Sequence, residues 1–254
     1  MSIVRTENLY KRYPEPGKKN SYFYAVEGTS LAIEAGEIYG ILGPNGAGKT
    51  TTLEMIEGLT DIDEGEAWID GISVSQEPYR IKRLIGVQLQ ANEYFDHLNI
   101  AELISLFSEL YGSKTDPMEL LKLVNLTEKA KAKPKELSGG QLQRFSIASA
   151  LVHEPKVLFL DEPTTGLDPQ AKRNLWQLVK NLNKGGMTII LTTHNMEEAE
   201  YLCDRLAIMD HGKIIAQGSP QDLIMQHAPE PPEIPIHGNL EDVFLALTGT
   251  ALRE

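Results

Sequence analysis

A single cysteine, Cys203, in a chain of 254 residues has nothing to pair with inside the molecule. No internal disulfide framework supports this fold, and a reducing compartment suits it. Positive charge is scarce: 24 Lys and Arg against 36 Asp and Glu leave a net charge of −12. Such a surface repels phosphate backbones and disfavours sequence-independent nucleic-acid binding. The one basic run (Lys129, Lys131, Lys133, Lys135) is broken by small residues and a proline, and reads as a solvated linker. There is no uninterrupted apolar run of membrane-spanning length, no N-terminal signal pattern, no internal repeat and no heptad-repeat arm. The expectation is a soluble chain whose membrane role, if it has one, passes through a partner. The apolar share of 41% and charged share of 24% are ordinary for a globular protein. The length suffices for one large domain or two small ones with a real core.

The densest information lies in residues 43–51, Gly-Pro-Asn-Gly-Ala-Gly-Lys-Thr-Thr. An apolar segment (Ile38, Tyr39, Ile41, Leu42) precedes them and a helical one (Leu53, Ile56, Leu59) follows, the strand–loop–helix context a phosphate-binding loop needs. Gly43, Gly46 and Gly48 free the backbone to aim successive N–H groups, with those of Pro44-flanked Asn45, Ala47 and Thr51, at phosphate oxygens. The following helix adds the positive end of its dipole. Lys49 is placed between β- and γ-phosphates, and Thr50 offers its hydroxyl to Mg²⁺. The pattern predicts binding of a nucleoside triphosphate.

Two further motifs belong to the same chemistry. Val157-Leu-Phe-Leu160 reads as a buried parallel strand ending in Asp161-Glu162. Asp161 is a candidate Mg²⁺ ligand and Glu162 a candidate general base for water, on the expectation that their strand lies next to the loop strand. Leu137-Ser-Gly-Gly-Gln141 opens a helix carrying Leu142, Phe145, Ala148 and Val152. Ser138 and Gln141 fit a capping box, and two readings stay open: a well-capped helix, or a second anion site where Gly139 and Gly140 admit a phosphate to open N–H groups.

Around these motifs the chain alternates. Strands open it, from Ile3 and Val4 to Leu31–Ile33, and Ala67–Gly71 is a strand ending in an Asp-Gly turn. Helical periodicity then runs from Ile100 to Tyr111 with Gly112 as its stop, and again from Leu120 to Leu126. The stretch from about Asn92 to Lys135 is thus a helical insertion, extending over about 92–150 with the Ser138 helix. Asp168-Pro169 caps a helix with Leu175, Leu178, Val179 and Leu182 inside, Thr188–Thr193 is a buried strand, and Arg205–Ile215 is a hairpin. A proline-rich linker (Pro229, Pro231, Pro232, Pro235) leads to an amphipathic helix bearing Leu240, Val243, Phe244 and Leu247.

In this order the motifs resemble the nucleotide-binding subunit of ATP-binding-cassette (ABC) transporters over roughly residues 1–220. Gly43–Thr51 looks like Walker A, Leu137–Gln141 the signature, Val157–Glu162 Walker B, Gly166-Leu167-Asp168 the D-loop, His194 the switch histidine and Gln90 the Q-loop glutamine, with Gln88 an alternative. The resemblance implies an α/β fold: a P-loop NTPase (RecA-like) core, an N-terminal antiparallel β subdomain and a helical insertion carrying the signature. It implies an ATPase domain over 1–227 and a linker with a C-terminal helix over 228–254. It further implies ATP and Mg²⁺ held between the phosphate loop of one chain and Ser138, Gly139, Gly140, Gln141 and Asp168 of a second copy or a homologous subunit. Glu162, His194 and Gln90 are then catalytic; Thr50, Gln90 and Asp161 hold the metal; Tyr13 stacks on adenine, with Tyr22, Phe23 and Tyr24 as alternatives. An integral membrane permease is the implied partner, nucleic acid is not, and the chain would sit peripherally on the cytoplasmic membrane face. Tyr94 and Phe95 are either contacts to that permease or ordinary core. The tail resembles ABC-2 exporters of drugs, sodium or polyketides, or else covers a local apolar patch. Against the transporter reading stand two others, an ABC ATPase acting on DNA or ribosomes and a non-hydrolysing ATP-gated module, the latter disfavoured by Glu162.

Overall fold

The structure, a computed structural model, describes residues 2–15, 17–18, 21–88, 94–228 and 240–248. Strands β1 (Ser2–Pro14) and β2 (Tyr22–Glu34) form a long antiparallel hairpin, and β3 (Ile38–Leu42) runs into the glycine loop and helix α1 (Lys49–Glu57). Next come β4 (Glu64–Ile69), β5 (Ile72–Ser73), α2 (Pro78–Leu84) and β6 (Ile85–Gln88). The helical insertion supplies α3 (Ile100–Tyr111), α4 (Pro117–Leu123) and α5 (Gly139–Ala150). Then follow β7 (Val157–Asp161), α6 (Pro169–Lys184), β8 (Thr188–Thr193), α7 (Met196–Leu202), β9 (Arg205–Asp210), β10 (Lys213–Gly218), α8 (Pro220–His227) and α9 (Leu240–Thr248).

Two sheets result. One has the order β2-β1-β4-β5, antiparallel throughout; the other has the order β10-β9-β3-β8-β7-β6, parallel from β9 to β6 with β10 as an antiparallel edge. The second sheet is apolar on both faces because its strands alternate between two cores. Ile38, Leu42, Leu158, Leu160, Ile189 and Leu191 face the helices, whereas Tyr39, Ile41, Val157, Phe159 and Ile190 face the antiparallel sheet. The parallel register, Leu42 with Thr193 and Asp161 with Thr192, holds the C-terminal ends of β3, β8 and β7 in one row, where the motifs emerge.

Several helix boundaries follow their caps. Asn99 and Glu102 form a reciprocal capping box at α3, and Gly112 ends it in the left-handed region. The second insertion helix differs from the sequence expectation of Leu120 to Leu126. Asp116 accepts from the Met118 N–H and Pro117 occupies the first turn, so the helix starts earlier and stops at Leu123. Of the four lysines in the basic run only Lys133 is half-buried; the others are exposed. The tail helix α9 packs on α7 and α8 with Val243 fully buried, while residues 229–239 lie outside the described residues.

One residue of α1 works against stability. Glu57 is 2% exposed, and burial, reinforced by the charges of Asp161 and Glu54, pushes its carboxyl up to about 8. Its raised pKa favours folding fully below the ordinary value of 4.5, and that contribution is lost as the pH climbs towards 8. Glu57→Gln should therefore flatten the pH dependence. Relative to wild type it should gain on the order of 2 kcal/mol at pH 8, roughly 4–8 °C in Tm, and nothing at pH 4.5. Thermal melts across this range check it; parallel wild-type and variant curves would remove the assignment.

Candidate active site

The glycine loop is shaped by two different constraints. Gly46 and Gly48 adopt φ of 79° and 103°, where a side chain strains the backbone, as expected. Gly43 does not. There a Cβ would lie 2.2 Å from the Met209 carbonyl, so glycine is required by the close approach of β9 rather than by its own dihedral. Lys49, 4% exposed, is held by the Gly43 and Pro44 carbonyls at 2.9 and 3.1 Å and by Glu162 Oε1 at 3.1 Å.

The expectation that β7 lies next to β3 is corrected: β8 runs between them. The carboxylates still reach the loop directly across the end of β8, Asp161 through Thr50 and Glu162 through Lys49, while β8 anchors them. Thr192 on β8 donates its hydroxyl to Asp161 Oδ1, and Thr50 donates across to both Asp161 oxygens at 3.1 Å. Thr192 also receives the Glu162 N–H on its hydroxyl at 3.0 Å. Glu162 has φ of 46°, a sparsely populated conformation for a residue with a side chain, and this anchoring by Thr192 fixes it there. Its carboxylate accepts from His194 Nδ1 at 2.9 Å and from Thr165 at 3.0 Å, in addition to Lys49. Burial raises the Glu162 pKa, but the Lys49 ammonium, His194 and Thr165 together outweigh it and hold the carboxyl below the usual range. A base that stays ionised is available for proton abstraction at any neutral pH.

Lys49, Thr50, Glu162, Thr165 and His194 line a cavity of about 840 Å³ together with Tyr13, Phe23, Tyr24, Ala25, Asn45 and His211. Tyr13 and Phe23 are cross-strand partners in the β1–β2 hairpin, their rings 6.1 Å apart. Lys11 lies over the Tyr13 ring at 5.7 Å. Tyr22, one of the alternatives, is 57% exposed and engaged by Arg12 instead. Sequence reasoning missed Thr192, Thr165 and His211. Thr192 was within reach, being the penultimate residue of a strand already read as buried; the other two carried no local signal.

The Ser138 motif lies elsewhere. Ser138 accepts from the Gln141 N–H while Gln141 Oε1 accepts from the Ser138 N–H, completing the capping box. Ser138, Gly140, Gln141 and Asp168 line a recess of about 200 Å³ that shares no residue with the phosphate-loop cavity. Asp168 caps α6 through the Ala171 N–H at 2.9 Å. Gly140 is needed here because a Cβ would come within 2.8 Å of Ala171. Gln90 lies outside the described residues, and its alternative Gln88 is fully buried at the end of β6. Of the two aromatics in question, Tyr94 packs on Phe145 at 5.0 Å, while Phe95 is 63% exposed.

Comparison with known proteins places the chain in a family. The family model described as ABC transporter matches residues 26–165. The linearmycin resistance ATP-binding protein LnrL of Bacillus subtilis is 41% identical over 87% of this chain and 70% of its own. The Nod factor export ATP-binding protein I of Ralstonia nicotianae is 40% identical over 87% and 68%. Among solved structures, a dimeric ATP-binding cassette in a post-hydrolysis state with ADP and Pi is 30% identical with a TM-score of 0.76, covering 85% of this chain and 98% of that one. The ATP-binding subunit of an ABC transporter is 26% identical with a TM-score of 0.80 over 97% and 100%. With Walker A, Walker B and signature residues on one P-loop scaffold, this chain belongs to the ABC transporter family as an ATP-binding, ATP-hydrolysing subunit.

Proposed function

We propose that two copies of this chain, or this chain and a homologous subunit, clamp two Mg-ATP molecules and thereby drive a separate membrane permease from its cytoplasmic side, in the direction of export. The observation that carries the reading is the division of polar machinery between two separate recesses of one chain. The phosphate loop with Glu162 and His194 forms one half; Ser138–Gln141 with Asp168 forms the other. A head-to-tail pair brings opposite halves together twice across a twofold axis.

In this reading Gly43–Thr51 cradle the phosphates, Lys49 bridges β and γ, Tyr13 with Phe23 beside it faces the adenine, and Glu162 takes the proton of the attacking water while His194 orients it. Thr50 and Asp161, hard oxygen donors within 3.1 Å of each other, suit Mg²⁺, and Gln90 would join them; the ion would neutralise charge on the phosphates. Lys49 must leave Glu162 to meet the γ-phosphate, so nucleotide binding also frees the base. The ATPase unit spans 1–227. Export is supported by the names of the relatives above, and the absence of any helix long and apolar enough to cross a membrane among the described residues is compatible with a separate permease.

The test is to solubilise membranes of the source cells, capture this chain and identify the integral protein that accompanies it; an accompanying ribosome or DNA complex without a membrane protein would reject the reading. Lys49→Ala should reduce ATP turnover by about 10²–10³-fold, and wild-type turnover would remove Lys49 from the site.

A further inference from the structure

Glu198, on α7, is a carboxylate only 1% exposed that lines neither recess. Trp176 of α6 donates Nε1–H to its Oε1 at 2.9 Å, and Tyr201 stacks on that indole at 5.1 Å, which fixes the direction of the bond. Its Oε2 is buried without a hydrogen-bond partner, a costly state for a carboxylate oxygen. Burial raises the pKa of the group; the Thr193 hydroxyl, the Trp176 indole and the Thr164 hydroxyl pull it back without cancelling the rise. One side chain thus gathers polar groups from three segments. Thr193 and Asn195 flank His194. The Asn195 N–H donates to the Thr193 hydroxyl at 2.9 Å, and the Glu198 N–H donates to Asn195 Oδ1 at 3.1 Å. Having accepted the Asn195 N–H, the Thr193 hydroxyl keeps its own proton for an acceptor. Thr164 lies two residues after Glu162 and next to Thr165, which donates to the Glu162 carboxylate at 3.0 Å. The same two segments meet again at the His194–Glu162 hydrogen bond of 2.9 Å.

We propose that Glu198 is a positioning residue for ATP hydrolysis: its carboxylate ties the segment bearing Glu162 to the segment bearing His194, so that base and histidine stay within hydrogen-bond reach. This rests on the roles given to Glu162 and His194 under the function proposed above. The bare Oε2 is the acceptor onto which the Thr164 and Thr193 hydroxyls tighten when nucleotide draws the two segments together. Hydrogen bonds around a reacting site are often loose in the free enzyme and shorten in the loaded one. Through Trp176 the same carboxylate also holds α6, whose Gln170, Ala171 and Asn174 belong to the second recess. A side chain serving only the core would do better without the charge, since a buried carboxyl with one bare oxygen costs stability.

The experiment measures steady-state ATP turnover and thermal melting of the full chain. Glu198→Gln keeps the shape and an oxygen for the Trp176 indole, and removes the charge. It should lower kcat about 10–100-fold with KM for ATP within about twofold of wild type. Its Tm should be unchanged or raised, so that lost turnover is not lost fold. Thr164→Val removes one hydroxyl at constant shape and should lower kcat in the same way, again without moving KM. Because both act through one contact, the double variant should turn over no more slowly than Glu198→Gln alone. Wild-type kcat in Glu198→Gln overturns the proposal, and so does a loss carried by KM or the product of two independent losses in the double variant. If Glu198→Gln melts too low to assay, Thr164→Val decides, and wild-type kcat there overturns the proposal. An inactive Glu162→Gln beside a fully active Glu198→Gln removes this proposal alone; a fully active Glu162→Gln removes the base and this proposal together.

Discussion

Glu162→Gln is expected to abolish steady-state ATP turnover, by about 10²–10⁴-fold, while producing a stable ATP-dependent dimer. The side chain keeps its volume, its anchoring by Thr192 through the backbone and its hydrogen bond from Thr165, so the fold around it should survive. What goes is the negative charge that binds Lys49 at 3.1 Å; the amide oxygen still accepts from Thr165 and His194, which share one oxygen of the wild-type carboxylate. Two consequences follow with opposite signs. Water loses its proton acceptor, so hydrolysis stops. Lys49 loses an ion-pair partner that competes with the γ-phosphate, so ATP affinity should rise rather than fall. Gel filtration with excess Mg-free ATP and a nucleotide-binding titration measure both effects. A variant that stays monomeric counts against the two-chain clamp; one that turns over at the wild-type rate removes Glu162 as the base.

Ser138→Arg should separate nucleotide binding from turnover. Ser138 lies in the recess apart from the phosphate loop and is exposed, so an isolated chain carrying arginine should bind ATP with wild-type affinity. The helix loses its cap, a local cost of about 1 kcal/mol that a chain of this size tolerates. In the closed pair the bulky cation would meet the γ-phosphate site of the opposite chain and keep the faces apart, so dimer-dependent turnover should vanish. Combined with Glu162→Gln, the double variant should bind ATP yet elute as a monomer. Loss of ATP binding by the isolated chain would contradict the trans role, since it would place Ser138 in its own chain's nucleotide site.

The two variants probe residues of very different legibility. Gly43–Thr51 and Ser138–Gln141 are contiguous, and their chemistry depends on backbone turned by glycine and on a helix cap, which spacing alone encodes. The capping box at Ser138 and the left-handed Gly46 and Gly48 could therefore be read without coordinates. The apolar runs 157–160 and 188–193 likewise announced buried parallel strands. Strand order was another matter. Nothing local says that β8 lies between β3 and β7, because that order comes from which apolar faces pack together across the whole sheet. Thr192, which anchors Asp161 and the Glu162 backbone from β8, was hidden for this reason. Gly43 was read for flexibility, although a distant carbonyl on β9 explains it.

The sequence by itself determined the class of this protein and its ATP-binding chemistry, and singled out the candidate carboxylates and lysine, because these rest on residue type and short spacing. Only the tertiary structure decided that Lys49 and Glu162 are paired, that the signature residues stand in a recess of their own, and that Glu198 lies buried against Trp176 of another helix. Those facts depend on side chains brought together from distant parts of the chain by two cores packing on one sheet.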